Sequence, residues 1–200
     1  MFPRSARWDG LRAYIGATKR PDGEALPGGG SGHHKQPISR GYEIDNRLVS
    51  SSGDRTFCLW TLNGEFISED NLDGDGYYTI FPLYSNFLTS DYFGAISIWD
   101  ADGNLVSTSE AHGSHVEDII VLVDSFVSCA GDGSLCWWDL QGPRLSGGSL
   151  RAHPGQITDL FEIGSVIVSV GGNVVRLWSL DGENRWQPGF LREISSMSMC

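Results

Sequence analysis

The sequence has no long apolar run, and this absence excludes one class of protein. No apolar stretch reaches eighteen residues, so we expect no membrane-spanning helix. The start, Met1-Phe2-Pro3-Arg4, lacks the apolar core of a secretory signal. There are only four Cys and no CxxC pair, which is typical of reduced thiols. We therefore expect an intracellular, cytoplasmic protein; the nucleus is an alternative, and Trp8-Asp9-Gly10 argues against a mitochondrial transit peptide.

Positive charge is scarce outside the first forty residues. The chain carries 14 Lys and Arg against 25 Asp and Glu, a net charge of −11. Residues 1–40 hold seven basic and three acidic residues, +4, whereas the other 160 hold seven Arg against 22 acids, −15. So acidic a body repels phosphate backbones, and we expect no nucleic-acid partner. Charge complementarity favours a basic protein or peptide instead.

Tryptophans recur with a period of about forty residues. Trp60, Trp99, Trp138 and Trp178 are separated by 39, 39 and 40 residues. The residues one and three before each Trp are apolar, the alternation that places one face of a β-strand in a core. A second apolar segment and a short turn precede each of these strands, and another turn follows, as in β-hairpins. Since no stretch has helical periodicity, we predict an all-β chain with four units of about four strands.

The units also carry a recognisable signature. Trp99-Asp100 and Trp138-Asp139 end the second and third units. Ala111-His112 and Ala152-His153 lie 26 and 25 residues before their tryptophans. This pattern resembles the WD-repeat (β-transducin-type) family, whose unit runs from Gly-His to Trp-Asp. The resemblance covers residues 32–183 and implies a β-propeller fold.

In that family a His, a Ser or Thr, an Asp and the Trp form a buried hydrogen-bonded tetrad. Carried over by position, the resemblance implies a complete tetrad in the first and third units and an incomplete one in the fourth. The residues are His33, Ser50, Asp54 and Trp60; His112, Ser128, Asp132 and Trp138; and His153, Ser169 and Trp178. The second unit has Asp73-Gly74 in place of the His and Phe93 in place of the Asp. Such buried groups need partners, because an unpaired one costs about 1–3 kcal/mol.

The repeats divide the chain into three parts. We predict a basic, Gly- and Pro-rich segment at 1–31, which could end an earlier blade, four repeats at 32–183, and a tail or extra strand at 184–200. The repeats are placed at about 32–71, 72–110, 111–151 and 152–183. Two arrangements stay open. One is an incomplete propeller, part of a larger ring or completed by blades from a partner chain; the other is a closed ring with a fifth blade from both termini.

The histidines suggest two kinds of chemistry, each with a simpler interpretation. His112 and His115 could ligate a metal, but the resemblance already gives His112 a place in a tetrad. Ser128, His112 and Asp132 can be arranged as a catalytic triad, which would need an exposed nucleophile and an oxyanion hole. The same groups are expected to be buried partners of Trp138, so we predict neither site.

The loop Asn71–Asp75 has the spacing of a calcium loop. Asp73 and Asp75 would be its carboxylate ligands, but the last ligand position, usually Glu, is Pro82. A solvated loop between strands is the favoured interpretation, and we predict no metal and no cofactor.

The resemblance implies a non-catalytic scaffold or adaptor that binds proteins or peptides through its loops. These loops connect the last strand of one unit with the first strand of the next. The candidate contact residues are His34, Lys35, Tyr77, His115 and Arg151. The alternatives are a calcium-binding propeller module and an enzyme subunit.

Overall fold

The computed structural model describes residues 33–71, 79–142 and 144–180, apart from the side chains of residues 71 and 144–149. This part of the chain forms fifteen β-strands and no helix, which confirms the all-β prediction. The strands are β1 (Ile38–Ile44), β2 (Arg47–Ser52), β3 (Thr56–Thr61), β4 (Phe66–Asn71), β5 (Thr79–Leu83), β6 (Asn86–Ser90), β7 (Ala95–Trp99), β8 (Leu105–Glu110), β9 (Val116–Val121), β10 (Ser125–Ala130), β11 (Ser134–Asp139), β12 (Arg144–Arg151), β13 (Asp159–Ile163), β14 (Val166–Gly171) and β15 (Val174–Ser179). Among these residues no helix is long and apolar enough to span a bilayer.

The strands form four antiparallel sheets, each a simple up-and-down meander. Three sheets have four strands, in the orders β1-β2-β3-β4, β5-β6-β7-β8 and β9-β10-β11-β12, and the fourth is described over β13-β14-β15. The chain divides into two compact units, Met1–Ala111 with the first two sheets and His112–Cys200 with the last two. Each repeating tryptophan lies at or next to the end of the third strand of its sheet, as the forty-residue period predicts.

Tight turns close the hairpins because their residues accept positive φ. Asp45 and Asn46, between β1 and β2, have φ of 45° and 62°, values that short polar side chains tolerate. The turns between the third and fourth strands have a Gly four residues after the repeating Trp, with φ of 84° at Gly64 and 86° at Gly103. These turns fix the register that places alternate apolar residues inside.

Aromatic side chains pack consecutive sheets together within each unit. In the compact unit Met1–Ala111 the Phe57 ring lies 5.2 Å from the Phe87 ring and 4.8 Å from the Trp99 ring, centroid to centroid. In the compact unit His112–Cys200 the Trp137 and Trp178 rings meet edge to face at 6.2 Å. Burying rings of this size stabilises each unit.

The described thiols, Cys58, Cys129 and Cys136, are all buried, and none of the three is in a disulfide. Burial raises the pKa of the Cys58 thiol to about 12 and that of Cys129 still further. Cys58 and Cys129 therefore stay protonated and pack as small apolar groups.

Candidate interaction site

At one end of the strands of each sheet, the loop before the first strand lies beside the turn between the second and third strands. We call this end of the sheet the loop–turn edge. In the first sheet the Gly53 N–H donates to the Pro37 carbonyl at 3.4 Å, which joins turn and loop. In the third sheet the Gly131 N–H donates to the His115 carbonyl at 3.1 Å. The described residues of the predicted tetrads, and the described contact residues His34, Lys35, His115 and Arg151, belong to this edge or to the strands directly beneath it.

In the third sheet, a chain of hydrogen bonds runs from a tryptophan to a carboxylate. Trp138 Nε1 donates to Ser128 Oγ at 2.8 Å, and Ser128 Oγ lies 2.7 Å from His112 Nε2. His112 Nδ1 lies 2.5 Å from Ser134 Oγ, which in turn donates to Asp132 Oδ1 at 2.5 Å. The structure therefore brings together the four residues that the resemblance implied and adds Ser134 as a fifth.

The carboxylate determines the direction of the hydrogen bonds nearest to it in this chain. Because ionised Asp132 can only accept, the Ser134 hydroxyl donates to it and accepts from the His112 Nδ1–H. In the neutral imidazole, His112 Nε2 is then the unprotonated nitrogen and accepts from the Ser128 hydroxyl, whose oxygen accepts the Trp138 N–H. Ser128 is fully buried, so its hydroxyl cannot meet a substrate as a catalytic serine must.

The first sheet repeats this arrangement with Thr in place of the second Ser. Trp60 Nε1 donates to Ser50 Oγ at 2.8 Å, and Ser50 Oγ lies 2.8 Å from His34 Nε2. His34 Nδ1 lies 2.7 Å from Thr56 Oγ1, which donates to Asp54 Oδ1 at 2.7 Å. The Asp54 carboxylate also accepts from the Lys35 N–H, which fastens the loop to the turn.

Two predictions for this sheet are wrong. His34, not His33, is the histidine of the network, and its side chain is only 5% exposed, so it is no surface contact residue. His33 instead stacks on Phe66, with ring centroids 3.6 Å apart. The sequence spacing indicates His34, because His34 precedes Trp60 by 26 residues, as His112 precedes Trp138.

Sequence reasoning missed the hydroxyl that links histidine to carboxylate. Thr56 and Ser134 both lie four residues before the tryptophan and two after the Asp. Where the turn Asp is missing, that position holds Ala95 or Val174. The joint occurrence of Asp and hydroxyl was therefore a readable signal.

The second and fourth sheets carry only parts of the network. In the second sheet Trp99 Nε1 donates to Thr89 Oγ1 at 2.9 Å, and the position of the missing His lies outside the described residues. In the fourth sheet Trp178 Nε1 donates to Ser169 Oγ at 2.9 Å, and Ser169 Oγ lies 2.8 Å from His153 Nε2. His153 Nδ1 is buried and lacks the hydroxyl partner that the corresponding histidines have in the first and third sheets.

Comparison with solved structures identifies the architecture of these sheets. The chain is similar to the WD40 β-propeller domain of Doa1, with a TM-score of 0.61, 22% identity, and 74% of this chain and 52% of that chain covered. The sheets are β-propeller blades. The computationally designed Ika4 protein is similar with a TM-score of 0.60 and 22% identity, over 73% of this chain and 92% of Ika4. U3-55K is similar with a TM-score of 0.59 and 18% identity, over 74% of this chain and 50% of that chain.

These similarities show the fold alone, because every identity is below 25%. The sequence matches no protein-family model and no curated protein. The chain spans about half the length of the Doa1 domain and of U3-55K. We number the blades one to four in chain order, starting with β1–β4.

The Asp of each Trp-Asp pair closes the turn that follows it. In blade two, Asp100 Oδ1 accepts from the backbone N–H groups of Asp102 at 3.0 Å and Asn104 at 2.8 Å. The side-chain hydrogen bond from Asn104 is the main cause that lowers the pKa of Asp100. In blade three, Asp139 Oδ1 accepts from the Gln141 N–H at 2.7 Å.

The other candidate contact residues have different surroundings. Lys35 and Arg151 are exposed. His115 is 42% exposed, and its Nε2 lies 2.5 Å from Glu117 Oε1. Tyr77 and the calcium-loop residues Asp73 and Asp75 lie outside the described residues. Within the described ranges no three His, Cys, Asp or Glu side chains are grouped to hold a metal ion.

Burial and hydrogen bonding set the charges of the blade-one network. Burial would raise the pKa of Asp54, but hydrogen bonds from Thr56 and Lys35 outweigh it and lower the pKa to about 2. Burial lowers the pKa of His34, although the nearby Asp54 charge works in the opposite direction. Burial and the Arg176 charge lower the pKa of His153 in blade four. At neutral pH the network therefore holds a neutral His and an ionised Asp.

These shifts predict that acid destabilises the protein in two stages. A His whose pKa is lowered by folding binds protons more readily when unfolded, so stability falls as the pH drops below about 6.5. The pKa of Asp54 is also lowered by folding, so its contribution to the stability of the folded state is lost as the pH falls from 3.8 to about 2. Urea unfolding at about pH 7.5 and about pH 5 should give the lower midpoint at the lower pH. The Asp54→Asn variant should lose less stability in the second stage, and equal midpoints for the parent protein would contradict the assignment.

Proposed function

We propose that this protein is a non-catalytic scaffold that binds peptide segments of other proteins at the loop–turn edge of its blades. The observation that carries the proposal is that the His, Ser and Asp side chains that could form a catalytic site are hydrogen-bonded to one another and to a tryptophan of the blade. Ser128, His112 and Asp132 are joined with Trp138 in one partly buried chain of hydrogen bonds. They brace a rigid edge on which exposed side chains can differ from blade to blade without disturbing the core.

The edge is well suited to hold recognition residues in place. In blades one and three a carboxylate bonds to the backbone of the facing loop, at Lys35 and Gly113. Loops fastened in this way lose little conformational entropy on binding. Lys35 and Arg151 are exposed there or at the adjoining strand end and are candidates for contact.

The acidic body supports a basic partner. Beyond residue 40 the chain carries seven Arg against 22 Asp and Glu, and such an excess steers cationic segments toward it. Binding that depends on this field weakens as salt increases.

The test is to titrate the full chain with equal-length basic, neutral and acidic peptide pools at low and near-physiological salt. We expect the basic pool to bind with the highest affinity and to lose affinity at the higher salt. A preference for the acidic pool would reject the basic partner, and the absence of binding to any pool would reject the scaffold function. A hydrolase activity that His112→Ala abolishes without unfolding would favour the enzyme alternative.

A further inference from the structure

Two exposed aromatic rings stand together at the loop–turn edge of blade two. Tyr92 and Phe93, in the turn between β6 and β7, are 53% and 61% exposed. Their rings meet edge to face, with centroids 5.8 Å apart and planes at 86°. Exposed aromatic side chains are enriched at binding surfaces, where they supply a large contact area at a small entropy cost.

The ring pair replaces a structural residue of the other blades. Phe93 occupies the turn position that Asp54 and Asp132 hold in blades one and three. Blade two closes this turn differently, because Asp91 Oδ1 accepts the Ala95 N–H at 2.8 Å. The Phe93 side chain is therefore not required to close the turn.

Backbone hydrogen bonds hold the turn beneath the rings. The Asp91 N–H donates to the Ala95 carbonyl at 3.1 Å, and the Gly94 N–H donates to the Asp91 carbonyl at 3.3 Å. The Gly94 carbonyl accepts from the Ala111 N–H at 3.2 Å, which ties the turn to the following loop. A platform of this kind presents the rings in one arrangement before any partner arrives.

The charged residues that flank the pair in the sequence are all acidic. Between Arg55 and Arg144 the sequence contains fourteen Asp and Glu and no Lys or Arg. Six of these acids lie in the second repeat, 72–110, and one of them, Asp91, directly precedes the rings. The Arg47–Asp102 ion pair lies at the opposite edge of the sheets. Ring faces and carboxylates both attract cations.

We propose that Tyr92 and Phe93 are the docking point for an arginine-containing segment of a partner protein. The planar guanidinium stacks on a ring face and pairs with the Asp91 carboxylate. Lysine fits less well, because its ammonium is compact, more strongly hydrated and unable to stack. This proposal rests on the proposed scaffold function and adds the partner chemistry and the residues that read it.

The experiment compares three labelled peptides of equal length, in which Gly alternates with Arg, Lys or Asp. Each is titrated by fluorescence anisotropy into the full chain and into the Tyr92→Ser, Phe93→Ser and double variants. Tyr84→Ser is the matched control, since Tyr84 is 59% exposed in the β5–β6 turn, at the other edge of the same blade. All the changed side chains are exposed, so thermal melting should show that each variant stays folded.

We expect the Arg peptide to bind more tightly than the Lys peptide, and the Asp peptide to bind least. The double variant should bind the Arg peptide about tenfold more weakly, and each single variant about threefold more weakly. Tyr84→Ser should leave the affinity unchanged.

The negative outcomes separate the two proposals. Unchanged Arg-peptide affinity in the double variant, or an equal loss in Tyr84→Ser, would overturn the docking point and leave the scaffold function standing. Preference for the Asp peptide that depends on the two rings would overturn the partner chemistry alone. If none of these peptides binds, the docking point is overturned, and the peptide pools then decide the scaffold function separately.

Discussion

Replacing Trp138 with alanine should lower the free energy of unfolding by about 3–5 kcal/mol. The indole is 1% exposed, stacks on Phe126 with ring centroids 5.8 Å apart, and donates its N–H to Ser128. Removing it creates a large cavity and leaves Ser128 without its donor. Urea unfolding followed by circular dichroism measures the loss.

The Trp138→Phe variant separates the two contributions. Phenylalanine keeps most of the apolar surface but has no N–H, so we expect a smaller loss, with about 1 kcal/mol from the hydrogen bond. Equal losses in the two variants would mean that the hydrogen bond, rather than the packing, dominates. A loss under about 1 kcal/mol for Trp138→Ala would contradict the buried position.

Gly133→Ala should be the second large effect, at about 2–5 kcal/mol. Gly133 has φ of 83°, which an L-residue adopts only under strain. An added Cβ would lie 2.4 Å from the His153 carbonyl oxygen and 2.6 Å from that of Gly155. Both are backbone atoms. The His153 N–H also donates to the Gly133 carbonyl at 2.9 Å, so neither the turn nor the facing loop can easily move aside.

Gly172→Ala is the matched control for this substitution. Gly172 also has positive φ, 57°, but nothing lies within 4 Å of an added Cβ. It should cost only the conformational term, about 1–2 kcal/mol. The difference between the midpoints of the two variants measures the close approach of the loop before β13 to the blade-three turn. Equal costs would show that this approach is looser than the structure describes.

Much of the fold could be predicted because its signals are local. The apolar residues one and three before each Trp are read from neighbouring positions, and so are the turns that close each hairpin. The same holds for the network of blade three, where His112, Ser128 and Asp132 stand at the spacing that the resemblance implied. The prediction is wrong at His33, where two adjacent histidines, 27 and 26 residues before Trp60, leave the register ambiguous by one residue.

Other features of the site depend on groups that are distant in sequence. The link from His34 to Asp54 through Thr56 requires a loop, a turn and a strand to meet. No composition or period shows which hydroxyl lies between two other groups. The exposure of Tyr92 and Phe93 is of the same kind, because an aromatic residue beside a strand is more often part of a core.

The amino-acid order alone determined that this chain is a series of all-β repeats, since strand alternation and hairpin turns arise between near neighbours. Only the tertiary structure decided which histidine bonds to Ser50, which glycine has backbone carbonyls where a Cβ would lie, and which aromatic rings remain exposed to water. The physical reason is that hydrogen bonds and steric contacts act over a few ångströms. Which groups come within that range is known only when the strands have paired and the loops have closed over them.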